Sequence, residues 1–252
     1  MARGEVRALS GWRTSEVVGV RAETATARTL SLRVPDWPGS LAGQHVDVRL
    51  TAPDGYQAVR SYSLASPALA PADEVVVEIG VELLDDGEVS PFLVEEVRPG
   101  DVLEVTGPLG GWFTWDPDRD GGPVQLVGGG SGVVPLLSVV RTHAALGSPV
   151  PLRLLQSTRT PAAAMYRDEL EQRAGQDSGF ALTEVWTREA PPGDPRPPGR
   201  LDAALLAAAT VPAAQRPTCY VCGPTPFVEV VADLLVAAGH PAARVRTERF
   251  GG

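Results

Sequence analysis

The stretch VQLVGGGSGVVPLL (124–137) joins an apolar run to a glycine-rich turn and then to a second apolar run. A short apolar run that ends in glycines is typical of a strand buried on both faces, and Pro135 suits the first turn of a helix. Glycines let the backbone approach a pyrophosphate, and a helix N-terminus offers free N–H groups and a positive dipole end. The stretch therefore predicts a strand, a turn and a helix that bind a dinucleotide.

The fingerprint of this turn is not the strict G-x-G-x-x-G, because position 133 is Val. The residues present form G-G-x-G-x-x-P, from Gly129 to Pro135. A tight strand-to-helix turn in an unrelated α/β protein fits the same letters, so the motif alone leaves both interpretations open.

Downstream of this turn, strand-like and helix-like segments alternate. Apolar strands are predicted at PLRLLQS, FALTEVWT, TCYVCG and ARVRTERF, and helices at VVPLLSVVRTHAALG, AAMYRDELEQRAG, LDAALLAAA and TPFVEVVADLLVAAG. Repeated β-α-β units predict a doubly wound, five-stranded parallel sheet of order 3-2-1-4-5 with helices on both faces. The proline-rich stretch 190–199 is predicted to be a loop.

Upstream of the turn, apolar residues recur at every second position. Six such segments are EVVGVRAET, RTLSLRVPD, QHVDVRLTA, RSYSLAS, EVVVEIGVEL and DVLEVTGP, and they predict a six-stranded antiparallel Greek-key β-barrel. A short helix is expected at 90–97, with Ser90 as its N-cap. The polar stretch 116–122 predicts a linker between a β-barrel domain (1–115) and an α/β domain (123–252).

The composition excludes several classes of protein. A net charge of −9 argues against nucleic acid binding, which needs clustered cations. The N-terminus lacks the apolar core of a signal peptide, and no long uncharged apolar stretch predicts membrane insertion. Two cysteines supply neither a disulfide framework nor the ligands of an iron–sulfur cluster, so a cytoplasmic protein without a metal site is expected.

The two cysteines lie in TCYVCGP (218–224), with the spacing C-x-x-C. On a strand, positions 219 and 222 are an odd number apart, so their side chains point to opposite faces. We therefore expect no mutual disulfide and no shared metal. Cys219 is predicted to be a buried filler, and Cys222 to lie at the carboxyl end of the strand, where ligands bind in such sheets.

The end of the second α/β strand bears on the choice between NAD and NADP. An acid at this turn binds the ribose 2′-hydroxyl of NAD, whereas arginine suits the 2′-phosphate of NADP. The strand ends with Ser157 and Arg159, and Arg167 follows on the next helix without an acid at the turn. This pattern favours NADPH over NADH, although all basic side chains in this chain are arginine and two solvated arginines fit as well.

Taken in order, the motifs R-S-Y-S (60–63), G-E-V-S (87–90), G-P-L-G (107–110), G-G-x-G-x-x-P, C-G-P (222–224) and E-R-F (248–250) resemble the ferredoxin–NADP reductase family of flavoproteins. The resemblance extends over nearly the whole chain and implies a barrel that holds FAD and a sheet that holds NADPH or NADH. It resembles forms without a fused 2Fe-2S domain.

The resemblance also implies roles for individual residues. Arg60 would pair with the flavin phosphate, Tyr62 would lie against the flavin ring, and Ser63 would hydrogen-bond near flavin N5. The further FAD contacts it implies are Ser61, Val81, Gly87, Glu88, Val89, Ser90 and Phe250. The implied NAD(P) contacts are Gly129, Gly130, Ser131, Gly132, Pro135, Cys222, Gly223 and Pro224, to which the strand end described above adds Ser157, Arg159 and Arg167. Ser63, Cys222 and Glu248 would act at the reacting atoms.

The implied activity is transfer of a hydride from NAD(P)H to FAD, followed by single electrons to a separate partner such as a ferredoxin or another redox protein. A reductase of free flavin or quinone is one alternative. A non-catalytic flavin-binding sensor module is another, although the sequence keeps both phosphate motifs together with Ser63 and Cys222.

Overall fold

The computed structural model describes residues 11–250, which divide into two compact units. The first contains the described residues through Thr114 together with Leu137–Thr142. The second contains Trp115–Leu136 and the described residues from His143 onward. The division therefore assigns Trp115 to the second unit and groups the middle of one helix with the first.

A six-stranded antiparallel sheet forms the first unit. Its strands are β1 (Arg13–Ala22), β2 (Ala27–Trp37), β3 (His45–Thr51), β4 (Gln57–Ser63), β5 (Ala72–Glu82) and β6 (Val102–Leu109). Their order in the sheet is β4-β3-β6-β1-β2-β5, and an isolated bridge between Leu64 and Ile79 joins its two edges. The predicted antiparallel barrel is confirmed.

Alternation along the strands builds the barrel core. Leu30, Leu32 and Val34 on β2 are fully buried. Val77 and Ile79 on β5, which pairs with β2, are fully buried as well. Because successive strand residues point to opposite faces, this spacing directs one face of each strand inward.

The helical turn expected at 90–97 is present as a π-helix over Phe92–Glu96, but Ser90 is not its cap. The Ser90 hydroxyl instead accepts a hydrogen bond from the backbone N–H of Leu84 at 3.1 Å. The N-cap expectation was therefore wrong, because the loop before the helix uses the serine to close on itself.

A five-stranded parallel sheet forms the second unit. Its strands are β7 (Val124–Gly129), β8 (Leu152–Thr158), β9 (Phe180–Trp186), β10 (Thr218–Pro224) and β11 (Val245–Phe250). The helices are α1 (Pro117–Asp120), α2 (Val133–Ala145), α3 (Arg167–Gln176), α4 (Ala203–Ala209) and α5 (Thr225–Ala237). The strand order β11-β10-β7-β8-β9 is the predicted 3-2-1-4-5 order, which is confirmed.

Two segments of the second unit differ locally from expectation. The helix predicted from residue 163 begins at Arg167, after a 3-10 turn at Pro161–Ala163 and a left-handed residue, Tyr166. The stretch 116–122, expected to be a plain linker, contains α1, whose N-cap Asp116 accepts a hydrogen bond from the backbone N–H of Asp118 at 3.0 Å.

Candidate functional site

The glycine-rich turn and the C-G-P turn pack against each other through their backbones. A Cβ added at Gly132 would overlap the carbonyl oxygen of Cys222 and lie 2.7 Å from the Gly223 nitrogen. Since neither neighbour is a flexible side-chain end, only glycine fits at position 132. The carboxyl ends of β7 and β10, which pair in parallel, are thereby held together.

Phe227 fixes the same two turns from the first part of α5. A Cβ at Gly129 would lie 2.7 Å from its ring, and one at Gly223 would lie 2.9 Å from it. Gly130 adopts φ +56°, a left-handed conformation that favours glycine. Sequence reasoning missed Phe227 as a contact of these turns, and its position four residues after Gly223 was the available signal.

The other residues predicted for this turn lie close to it along the chain. Ser131 lies in the 3-10 turn Gly130–Gly132, and Pro135 lies in the first turn of α2. Pro224 ends β10 and precedes α5. The predicted pyrophosphate loop is thus a strand-to-helix turn with its glycines against a second loop.

Both cysteines are fully buried free thiols on β10. Cys219 belongs to the same apolar cluster as Val221 and lies 3.6 Å from His240 Nδ1, whereas Cys222 lies opposite Glu248 in the register of β10 and β11. The geometry is that of a strand with side chains on alternate faces, so the C-x-x-C spacing does not form a dithiol.

Burial keeps both thiols protonated. It raises the pKa of Cys219 to about 12. It also raises the pKa of Cys222 well above its ordinary value, and the Glu248 carboxylate adds to that shift. Cys222 is thus a neutral thiol at the carboxyl end of a parallel strand, which suits shaping and packing of a ligand rather than nucleophilic attack.

Glu248 is the acid of this site. Burial raises the pKa of its carboxyl from 4.5 to about 7, so the group changes charge near neutral pH. Phe250 pairs with Pro224 two residues further along and is half-buried. Gly251 and Gly252, the remainder of the tail predicted near the flavin, lie outside the described residues.

The end of β8 carries the residues predicted to distinguish NADP from NAD. Ser157 is buried and Arg159 is exposed. Arg167 is held by two carboxylates, Glu184 at 3.1 Å and Glu171 at 2.7 Å. Of the two arginines, Arg159 is therefore the one with the more available guanidinium.

The residues of R-S-Y-S occupy the end of β4 in the barrel. Ser61 donates to Asp47 on β3 at 2.5 Å, and Ser63 is half-buried opposite His45. Tyr62 packs against the barrel core, and burial raises the pKa of its phenol. Arg60 stays half-exposed and pairs with Glu88 of G-E-V-S, which links the two predicted flavin motifs.

The loop of G-E-V-S has little room for other side chains. A Cβ at Gly87 would lie 2.7 Å from the Ser90 hydroxyl oxygen, and Val89 is buried in the barrel core. Val81 is also fully buried in the barrel core and lies on β5, two residues beyond the Leu64–Ile79 bridge.

Tyr56 joins this cluster and was missed from the sequence. Its hydroxyl donates to Glu88 Oε1 at 2.8 Å. Tyr56 and Arg60 are four residues apart, and even spacing on an extended chain places side chains on one face, which was the signal available.

Within residues 11–250 no group of three or more His, Cys, Asp or Glu side chains is arranged to hold a metal ion. No helix in the described part of the chain is long and apolar enough to cross a membrane.

Comparison with known proteins supports both halves of this description. The family model of the oxidoreductase FAD-binding domain matches residues 17–114, and that of the oxidoreductase NAD-binding domain matches residues 126–233. The predicted FAD and nicotinamide nucleotide are confirmed at this level.

Several relatives share this arrangement. The chain is 33% identical to the glycine betaine monooxygenase reductase subunit of Chromohalobacter salexigens over 83% of its own length and 55% of the relative's. It is 30% identical to an NADPH oxidoreductase of Mycobacterium tuberculosis over 93% of its own length and 59% of the relative's. The chain thus spans little more than half of each of these proteins.

Solved structures agree with the fold. A cytochrome P450 reductase from Amycolatopsis matches with a TM-score of 0.81 at 28% identity, over 95% of this chain and 70% of that one. The flavohem-like FAD/NAD-binding domain of nitric oxide dioxygenase from Vibrio cholerae matches with a TM-score of 0.84 at 24% identity, over 95% and 99%. The chain therefore belongs to the ferredoxin reductase-like family of oxidoreductases, which join an FAD-binding domain to an NAD-binding domain.

Proposed function

We propose that the chain oxidises NADPH or NADH and passes the electrons through FAD, one at a time, to a separate redox protein. The observation that carries the nucleotide half is the close packing of Gly132 against the backbone of Cys222. The glycine-rich turn, the neutral thiol of Cys222 and the titratable carboxyl of Glu248 thus lie at the ends of three neighbouring strands of one parallel sheet. Ligands bind at such strand ends in open α/β sheets.

The residues of the barrel fit the flavin nucleotide. Arg60 offers a half-exposed guanidinium, which suits a phosphate, and its contact with Glu88 brings it next to the G-E-V-S loop. Tyr62 supplies a flat ring anchored in the core, and Ser63 supplies a hydroxyl at the end of the same strand. FAD, when bound, supplies the exchange between two-electron and one-electron chemistry.

In this proposal the protein positions the reactants and tunes their surroundings. Gly129, Gly130 and Gly132 let the backbone approach the pyrophosphate of the nicotinamide nucleotide. Cys222 shapes the surface against which the nicotinamide lies, and Glu248 holds or releases a proton beside it.

The partner is proposed from the relatives. The reductase subunit of a monooxygenase and the reductase of a cytochrome P450 have names that describe electron supply to an oxygenase. We therefore propose an oxygenase component or its ferredoxin as the electron acceptor.

The test uses purified chain reconstituted with FAD. We expect anaerobic NADPH or NADH to bleach the visible flavin absorbance, and added ferredoxin to pass electrons on to cytochrome c. A chain that takes up no flavin would refute the proposal. Bleaching followed by rapid reduction of free flavin or quinone, but not of ferredoxin, would indicate the small-acceptor alternative.

We also propose a preference for NADPH, carried by Arg159 at the end of β8. A charged hydrogen bond to the 2′-phosphate is worth about 1.5–3 kcal/mol. Arg159→Ala should therefore raise the KM for NADPH by about tenfold or more and leave that for NADH nearly unchanged. Arg188→Ala, at an exposed arginine on the neighbouring loop, is the matched control. An equal rise for both nucleotides would refute this role.

A further inference from the structure

Three side chains of the barrel unit form one exposed cluster, which we call the Glu88 cluster: Tyr56, Arg60 and Glu88. Arg60 Nη2 donates to Glu88 Oε2 at 2.5 Å, and the Tyr56 hydroxyl donates to Glu88 Oε1 at 2.8 Å. Both carboxylate oxygens are thus engaged, one by each neighbour. The arginine of this cluster is the one assigned above to the flavin phosphate.

The guanidinium of Arg60 is also held by its own strand. Its Nη1 donates to the carbonyl oxygen of Val59 at 2.8 Å, while Nη2 donates to Glu88. A guanidinium binds an anion bidentately either through Nη1 and Nη2 or through Nε and Nη2, so Nη2 belongs to both modes. Nη2 carries two hydrogens, one facing each of these edges, so the bond to Glu88 takes up one of them and leaves at most one bidentate mode fully open to a phosphate.

Glu88 remains a carboxylate under ordinary conditions. The hydrogen bond from Tyr56, and then the charge and hydrogen bond of Arg60, hold the pKa of its carboxyl below the usual value. A negative charge at this place repels a second anion brought to the same guanidinium.

The pair is also exposed enough to be exchanged. The side chains of Arg60 and Glu88 are 51% and 47% exposed, and exposed ion pairs contribute little to stability. A flavin phosphate, which can accept two hydrogen bonds from arginine in a fork, can therefore take the place of the carboxylate.

We propose that the Glu88 carboxylate competes with the flavin phosphate for Arg60, so that this side chain loosens FAD binding instead of supporting it. The inference rests on the proposed placement of FAD in the barrel. It assigns opposite roles to two parts of one residue, because the backbone of Glu88 belongs to the loop predicted to hold the pyrophosphate and its side chain opposes that binding.

The opposite possibility is that Glu88 orients Arg60 for the phosphate. A carboxylate that only orients an arginine binds away from the edge that the phosphate uses, whereas Glu88 places its negative charge on a nitrogen that both edges share. The observed contact therefore favours competition.

The experiment measures FAD dissociation constants by equilibrium dialysis for the wild-type chain and for Glu88→Gln. Removal of a competing exposed pair should tighten FAD binding by about three- to fivefold. Glu96→Gln, at an exposed glutamate of the helical turn after G-E-V-S, makes the same change in net charge and should alter the constant far less. Circular dichroism and thermal unfolding check that each variant folds.

The same two changes are then made in an Arg60→Ala background. Competition for Arg60 predicts that the gain from Glu88→Gln shrinks there, whereas an undiminished gain would show repulsion alone and overturn the proposal. Equal or weaker FAD binding by Glu88→Gln, compared with Glu96→Gln, would also overturn it. A wild-type chain that binds no FAD would instead refute the proposed function.

Discussion

Replacing Glu248 with Gln tests whether this strand carries a buried acid that titrates near neutrality. Glu248 lies on β11 opposite Cys222, and burial raises the pKa of its carboxyl to about 7. Gln keeps the size and polarity of the side chain but cannot ionise. The variant should therefore remove one charge and little packing.

The size of the effect follows from the shift in pKa. The rise in pKa from 4.5 to about 7 corresponds, at about 1.4 kcal/mol for each pH unit, to at most about 3.5 kcal/mol. Since the side chain keeps partial access to solvent, we expect about 1–3 kcal/mol.

The sign is set by which state binds the proton more tightly. The folded chain holds it more tightly than the unfolded chain, so this contribution to the free energy of unfolding is complete below about pH 4.5. It is lost as the pH rises through about 7. Glu248→Gln should therefore match the wild-type chain at about pH 5 and be more stable at about pH 9 by about 1–3 kcal/mol.

Urea unfolding at both pH values, with the same excess of FAD, measures this difference. Glu229→Gln, at an exposed glutamate of α5, is the control and should show no such dependence on pH. Parallel curves for Glu248→Gln and the wild-type chain would refute the argument. A variant that is less stable at alkaline pH would show that the carboxylate is stabilised in the folded chain.

The remaining predictions concern the turns of the second unit. Gly132→Ala should destabilise the chain by about 3 kcal/mol, because its Cβ overlaps the Cys222 carbonyl, and should abolish bleaching by NAD(P)H. Gly175→Ala, whose Cβ meets open space, should unfold in urea at or slightly above the wild-type midpoint; equal midpoints for both variants would contradict this reading. Cys222→Ser should slow flavin reduction in stopped-flow measurements while leaving flavin content unchanged, whereas Cys219→Ser should change stability at most. Loss of reduction in a folded Cys219→Ser variant would contradict the assignment.

The fold was predictable because the two units have different periodicities. Residues such as Leu30, Leu32 and Val34 alternate with polar ones, and this alternation is a local property that survives packing. The parallel sheet and its order followed from the repeated β-α-β connections.

The predictions that were wrong concern the cap at Ser90 and the start of α3, where more than one local hydrogen-bonding arrangement is available. Ser90 has the identity and position of an N-cap, but its hydroxyl accepts from the Leu84 N–H. Helix α3 begins at Arg167, later than predicted, because Pro161–Ala163 form a separate 3-10 turn. The alanines of this segment favour a helix, so the sequence did not indicate the turn. Both outcomes depend on loop geometry that residue type does not specify.

The arginines of the candidate site also show that residue type alone does not predict which partners a side chain binds. In sequence, Arg60 and Arg167 are both predicted phosphate contacts, and residue type does not rank them because every basic side chain of this chain is arginine. In the structure, Arg167 lies between Glu184 and Glu171, and burial raises the pKa of Glu184, so an anion would have to displace two carboxylates from a partly buried cation. Breaking partly buried pairs leaves charges uncompensated, whereas the exposed pair of Arg60 and Glu88 separates at little cost. A phosphate should therefore exchange for a carboxylate at Arg60 far more easily than at Arg167, so the surrounding acids, more than the arginines themselves, favour Arg60 as the phosphate contact.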